Sequence, residues 1–171
     1  MKRWMKWLGL GIVCLVALTR PGLGWAKTHH FDKLFAHVGK HFGIPGLLLK
    51  AIAMQESDLH PLAINIAGKD YWPQNEEKAL KLIRYAQRTH RNFDVGLMQI
   101  NRWWLQKWAL DPEVLLNPID NVFCGAHILA GEIDRGGRTW KAIGHYHSHT
   151  PERAMNYAAR IRKHVSRLLA G

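Results

Sequence analysis

Apolar positions recur along this chain on a helical period. Phe31, Leu34, Phe35, Val38 and Phe42 fall on one stripe that stops at Gly43, a residue suited to the left-handed end of a helix. Pro45 fits the first turn of a second helix reaching about Leu59, where Pro61 restricts His60. Asn75-Glu76-Glu77, a capping side chain followed by acids, starts a third helix with Ala79, Leu80, Leu82, Ile83 and Ala86 behind it. Asn117-Pro118 opens another, with Ile119, Val122, Phe123, Ala126, Leu129 and Ile133 on one stripe that ends at Gly136-Gly137. Thr150-Pro151-Glu152 opens the last, which carries Ala154, Tyr157, Ala158, Ile161, Val165 and Leu168. No alternating run is long enough to demand a sheet. The expected fold class is all-α, with a loop around residues 64–74 that has room for a small β-hairpin.

The first residues follow a different pattern. Lys2, Arg3 and Lys6 precede an apolar run from Trp7 to Leu18, and Gly24-Trp25-Ala26 supplies small residues for cleavage. Residues 1–26 therefore read as a signal peptide and 27–171 as one catalytic-sized domain. The run falls short of the roughly 20 residues a spanning helix needs. No permanent membrane span is expected after cleavage, and the expected location is the periplasm or cell envelope. Gly11-Ile12-Val13 before Cys14 lacks the small residue of a lipidation site, and Cys124 would remain without a disulfide partner.

Charge narrows the partner class. The whole chain carries 24 Lys and Arg against 13 Asp and Glu. Loss of residues 1–26 removes four basic residues and no acidic one, leaving a formal charge of +7. An exported basic protein meets the anionic cell wall rather than nucleic acid. Its basic residues are dispersed, not clustered on one reading element, so no nucleic acid partner is expected.

Two segments carry candidate chemistry. The run Leu47 to Met54 is apolar nearly all round, which marks a buried helix, and Glu56 follows with Ile52 and Ala53 on its own face. An apolar stripe disfavours the charged carboxylate, as a general acid at a glycosidic oxygen requires. A helix-end glutamate more often turns to water, so this helix alone does not decide. In Gly96-Leu97-Met98-Gln99-Ile100-Asn101 a glycine permits close backbone approach, and two amides sit among apolar residues. Taken alone, that segment reads more readily as core around a buried amide tied to backbone.

Taken together, Glu56-Ser57, Gly96-Leu97-Met98-Gln99-Ile100-Asn101, Asn117-Pro118 with Asn121 and Gly125, and Tyr146 before a tyrosine-bearing last helix resemble the successive motifs of the lysozyme-like lytic transglycosylases, the soluble lytic transglycosylase superfamily. The insertion between the first two motifs and Tyr146-His147-Ser148 resemble the subgroup that accompanies conjugation, type IV pilus and type IV secretion machines. The resemblance runs from about Phe31 to Val165. It implies an α-rich lysozyme-like fold and cleavage of the β-1,4 bond between N-acetylmuramic acid and N-acetylglucosamine, with a 1,6-anhydro product. Glu56 would be the catalytic acid/base, and Ser57 would orient it or a substrate hydroxyl. Met98 and Gln99 would line the groove, with Asn101 nearby. Tyr146 would build its floor, and Tyr157 would point toward Glu56 or the acetamido group. Many relatives carry Asn where this chain has His147. No cofactor is implied, and the implied partners are peptidoglycan strands and components of a pilus, conjugation or secretion machine.

Two rivals stay open on the residues. A hydrolytic lysozyme needs a second carboxylate or a positioned water, and Asp58, Asp70 and Asp94 are available, although surface charge or loop capping accounts for all three. A non-catalytic wall-binding scaffold would keep the groove and lose the acid. His145, His147 and His149 alternate, but no cysteine or carboxylate joins them at tight spacing, so no metal is expected. Trp103, Trp104, Trp108 and Trp140 are candidates for stacking on sugars, with core packing the commoner role. Arg160, Arg162, Lys163 and Arg167 read as a solvated basic face.

Overall fold

A computed structural model describes residues 31–170; the signal peptide expected at residues 1–26 lies outside the described residues. Five long helices carry the frame: α1 (Asp32–Phe42), α2 (Gly46–Ser57), α3 (Glu76–Arg88), α5 (Pro118–Gly136) and α7 (Pro151–Leu169). Two short ones, α4 (Arg102–Trp108) and α6 (Trp140–His145), and a 3₁₀ turn at Pro112–Leu116 join them. The α-rich lysozyme-like architecture expected from the motifs is present.

The caps explain the boundaries. Gly43 takes φ 65° at the end of α1, as the stripe required. Asn75 accepts a hydrogen bond from Lys78 N at 3.0 Å and so starts α3. Asn117 does the same for α5 toward Ile119 N at 2.9 Å. Helix α2 departs from expectation: Pro45 is its cap rather than its first turn, and it closes at Ser57, ahead of Pro61. Asp58 and Leu59 both turn left-handed there, with Leu59 N–H reaching back to Ala53 O at 3.3 Å. The stripe on α5 is also narrower than read. Val122, Ala126 and Leu129 are buried, whereas Ile119 and Phe123 are exposed, Phe123 packing on the ring of Phe42 at 4.9 Å.

The loop expected around 64–74 is a hairpin of β1 (Ile64–Ile66) and β2 (Lys69–Tyr71), and it belongs to a larger sheet. With β3 (Phe93–Val95) and β4 (Ile100–Asn101) it forms four antiparallel strands in the order β2-β1-β3-β4. Ile64, Ile66, Phe93, Val95 and Ile100 lie buried in the core. The register aligns Asp70 with Asn65, Asn65 with Asp94, and Asp94 with Asn101. Period-two alternation then places this polar row together on the opposite face.

Helix α2 runs through the middle of the core, with Leu49, Ala51, Ile52 and Ala53 fully buried. It packs against both α1 and α7. Glu56 thereby reaches the end of an apolar helix that solvent does not enter. Cys124 is free, and burial pushes its thiol up to about 12, which leaves it inert. Among the described residues no helix is long and apolar enough to cross a membrane.

Candidate active site

The carboxyl of Glu56, the polar row of the sheet and the end of α6 enclose a groove of about 390 Å³. Its walls include Glu56, Asp70, Asp94, Gln99, Asn101 and Trp104, with Tyr146 and His147 opposite. Desolvation pushes the Glu56 carboxyl up to about 7, helped by the nearby charge of Asp94. Tyr157, buried on α7, donates its hydroxyl to Glu56 Oε1 at 2.5 Å and works in the opposite direction, favouring the anion. Burial and the neighbouring Glu56 push the Tyr157 phenol well above its ordinary value, so it remains a donor.

Removing that donor has a signed consequence. In Tyr157→Phe the ring stays and the hydrogen bond goes, so the Glu56 carboxyl rises further. The alkaline limb of the activity profile should move to higher pH, measured as wall solubilisation across pH. An unmoved limb would separate Tyr157 from the titration of Glu56.

The residues expected at the site take three kinds of position. Gln99, Asn101 and Tyr146 line the groove beside Glu56. Gln99 sits at φ 45° and donates both amide protons inward, to Ala63 O at 3.0 Å and Gly96 O at 2.8 Å, which leaves its carbonyl oxygen for a ligand. Asn101 caps α4 through Trp103 N at 2.9 Å and donates to Asp94 at 2.8 Å. Tyr157 touches Glu56 from below.

Ser57 and Met98 lie beneath the surface instead. The Ser57 hydroxyl is buried and faces Leu97 O at 2.8 Å and Ala53 O at 3.0 Å, so it fastens the Leu97 segment to α2. The Met98 side chain is buried against α5 at Gly125, where a Cβ would come within 2.6 Å of its sulfur. The Met98 carbonyl accepts from the hydroxyl of Tyr146, which lines the groove, at 2.8 Å.

The Gly96 segment owes its shape to Asn121. This fully buried side chain accepts from Met98 N at 2.8 Å and donates to Val95 O at 2.8 Å and Leu115 O at 3.0 Å. Gly96, at φ 80°, lies so close that a Cβ would sit 2.1 Å from the Asn121 amide nitrogen. Asn117-Pro118, Asn121 and Gly125 thus act through the backbone that presents Gln99.

Several side chains are placed differently from their sequence reading. Asp70 and Asp94, read as surface or capping charges, both face the groove. Burial holds Asp94 above the usual carboxylate range, against the hydrogen bond from Asn101, and Asp70 adds to the rise. Asp58 stays at the helix end. His147 stacks on the Tyr157 ring at 4.9 Å with 5° between planes, and burial, with Arg160 and Arg153 nearby, lowers its hold on a proton. Trp104 reaches the groove, whereas Trp108 packs on Trp104 and His127. Arg160, Arg162, Lys163 and Arg167 are all exposed, as read, with Arg160 lying over the Tyr157 ring and Arg162 over Trp140.

This arrangement, a desolvated acid at the end of an apolar helix facing a polar groove, with no second carboxylate on its own helix, agrees with sequence relationships. The family model described as the transglycosylase SLT domain matches residues 33–163. Invasion protein IagB of Salmonella typhimurium is 31% identical over 130 residues, which cover 74% of this chain and 68% of IagB. Protein IpgF of Shigella flexneri is 29% identical over 161 residues, covering 88% of this chain and 86% of IpgF. Protein virB1 of Agrobacterium fabrum is 34% identical over 93 residues, 53% of this chain but 38% of virB1, so the match spans well under half of that relative. A match across most of the described residues, over a helical frame that brings a half-buried glutamate to a groove, places this chain in the transglycosylase SLT domain family.

Proposed function

We propose that the chain is a peptidoglycan lytic transglycosylase in which Glu56 is the single acid/base. The observation that supports this most is the state of Glu56: a carboxyl raised to about 7 by burial, opening on a groove and held by a buried tyrosine. Such a group keeps its proton near neutrality and can give it to a glycosidic oxygen.

Glu56 first protonates the oxygen leaving C1 of N-acetylmuramic acid. The substrate's own acetamido group stabilises the oxocarbenium-like centre, so the enzyme needs no carboxylate nucleophile. Glu56, now ionised and steadied by the Tyr157 hydroxyl, takes the proton from the C6 hydroxyl as it closes on C1. The product is a 1,6-anhydro ring. Gln99, Asn101 and Tyr146 position the glycan, the last through its anchor on Met98 O. Because the protonated form starts the reaction, activity falls as pH rises through about 7.

The hydrolytic alternative has one observation in its favour, the presence of Asp70 and Asp94 in the groove. Its chemistry points elsewhere. A nucleophile must be free to approach C1, whereas Asp94 is engaged by the Asn101 amide, from which it accepts at 2.8 Å. Mass spectrometry of fragments released from sacculi tests both readings. Wild type and Asp94→Asn should both yield 1,6-anhydro-muramyl ends, the variant within about tenfold of wild type in rate. Its alkaline limb should shift to lower pH, because a charge that raised Glu56 has gone. Reducing ends, or abolition of activity by Asp94→Asn, would establish a lysozyme.

In its cellular setting, export by residues 1–26 would deliver domain 27–171 to the periplasm. There a local cut in the wall would admit a pilus, conjugation or secretion apparatus. The basic balance of the chain and its similarity to the invasion protein IagB support this reading.

A further inference from the structure

The reaction leaves one buried carboxylate unused. Glu132 on α5 is only 3% exposed. Its Oε1 takes the guanidinium of Arg135, while Oε2 turns to two imidazoles, His149 Nε2 at 3.2 Å and His145 Nδ1 at 3.9 Å. The two rings stand 4.8 Å apart between centroids. One donor atom from each of the three residues lies within 4.8 Å of the others. The carboxylate missing from the sequence pattern is supplied by a neighbouring helix, and His147, between the two histidines, turns away onto Tyr157.

We propose that Glu132, His145 and His149 form a binding site for one divalent transition-metal ion of the zinc class. Two imidazoles and one carboxylate suit zinc, cobalt, nickel or copper, not calcium or magnesium, which take oxygen donors. Ligand bonds of about 2.0–2.1 Å in a tetrahedron put donor atoms about 3.4 Å apart. The Glu132–His149 spacing meets that already. His145 ends α6 and His149 lies largely exposed in the turn before α7, so both rings can close the remaining gap. Arg135 holds Oε1 and leaves Oε2 for the ion, the usual division of a ligating carboxylate between metal and outer partner. The fourth position opens on a cavity of about 560 Å³ lined by Trp103, Lys107 and Ser148. Tyr146 and His147 line that cavity and the Glu56 groove alike. A bound ion would therefore tie the segment carrying both residues to α5.

The test uses the purified chain without a polyhistidine tag, isolated by cation exchange. Cobalt is titrated while the visible absorption is followed, and zinc is then added in competition. One ion per chain, with the intense band of a tetrahedral site that zinc abolishes, is expected. His145→Ala and His149→Ala should each weaken binding by at least about tenfold, and His147→Ala should retain it. Zinc should raise the melting temperature of wild type and not of His149→Ala. His149 is exposed enough that its variant keeps the apo-protein fold, checked by circular dichroism. Absence of a stoichiometric ion, or binding untouched by the His145 and His149 substitutions, would overturn the site. Loss in His147→Ala alone would overturn it equally.

Discussion

Glu56→Gln should abolish wall cleavage while making the protein more stable above neutral pH. Gln cannot give a proton to the leaving oxygen or take one from C6, and each role of a positioned acid or base contributes about 10²–10⁴-fold. A fall of at least about three orders of magnitude in released fragments is expected. The stability effect follows from linkage. In the unfolded chain the carboxyl ionises near 4.5, whereas in the folded protein it holds its proton to about 7. Between these values the folded state binds the extra proton, so stability falls as pH rises through the window and stays low above it. A shift of this size is on the order of 3 kcal/mol. Gln is neutral at every pH and still accepts from Tyr157, so the variant should escape the penalty. Denaturation at pH 5 and pH 8 would compare the two proteins. An active Gln variant would sink the mechanism, and equal pH dependence of stability in the two proteins would sink the account of burial.

Asn121→Ala should be the most destabilising single change near the groove. The amide serves Met98 N, Val95 O and Leu115 O in a place without water. Deleting it strands three buried backbone groups, each at a cost of about 1–3 kcal/mol. A loss of about 3–5 kcal/mol is a large part of the roughly 5–15 kcal/mol that holds a domain together. The melting temperature should fall by about 10 °C or more. Since the same amide shapes the Gly96 turn, the fraction that remains folded should also bind glycan poorly through a misplaced Gln99. A melting shift of only a degree or two would mean that the segment holds its shape without Asn121.

These two predictions rest on features that differed in how far the sequence disclosed them. Helices with a strong cap and a one-sided stripe were legible: Gly43 closes α1, Asn75 opens α3, and Asn117 opens α5, each where its chemistry requires. The raised carboxyl of Glu56 was also legible, because same-face neighbours on a helix follow from period alone. Of the sheet, only the hairpin around residues 64–74 was. The strands are two or three residues long, too short for alternation to stand out, although Ile64-Asn65-Ile66 and Phe93-Asp94-Val95 carry the signal in miniature. Without β3 and β4 the row from Asp70 to Asn101 could not be drawn, and surface charge stayed the commoner reading of Asp70 and Asp94. Ser57 and Met98 illustrate another limit. Their types suit a sugar contact as well as a buried one, and only tertiary packing against Leu97 and Gly125 decides between them. Glu132 could not be joined to its histidines by spacing, since different helices supply them.

The bond between Tyr157 and Glu56 spans 101 residues of sequence, from α2 to α7. Synthesis begins at the N-terminus, so the glutamate is made long before the tyrosine that completes its surroundings. Until α7 docks on α2, Glu56 sits in water as an ordinary carboxylate, ionised at neutral pH and unable to act as an acid. The proton proposed for catalysis therefore depends on the docking of α7 on α2, which an unfinished chain lacks. For a protein whose proposed target is the wall of a living cell, folding itself serves as the safety catch.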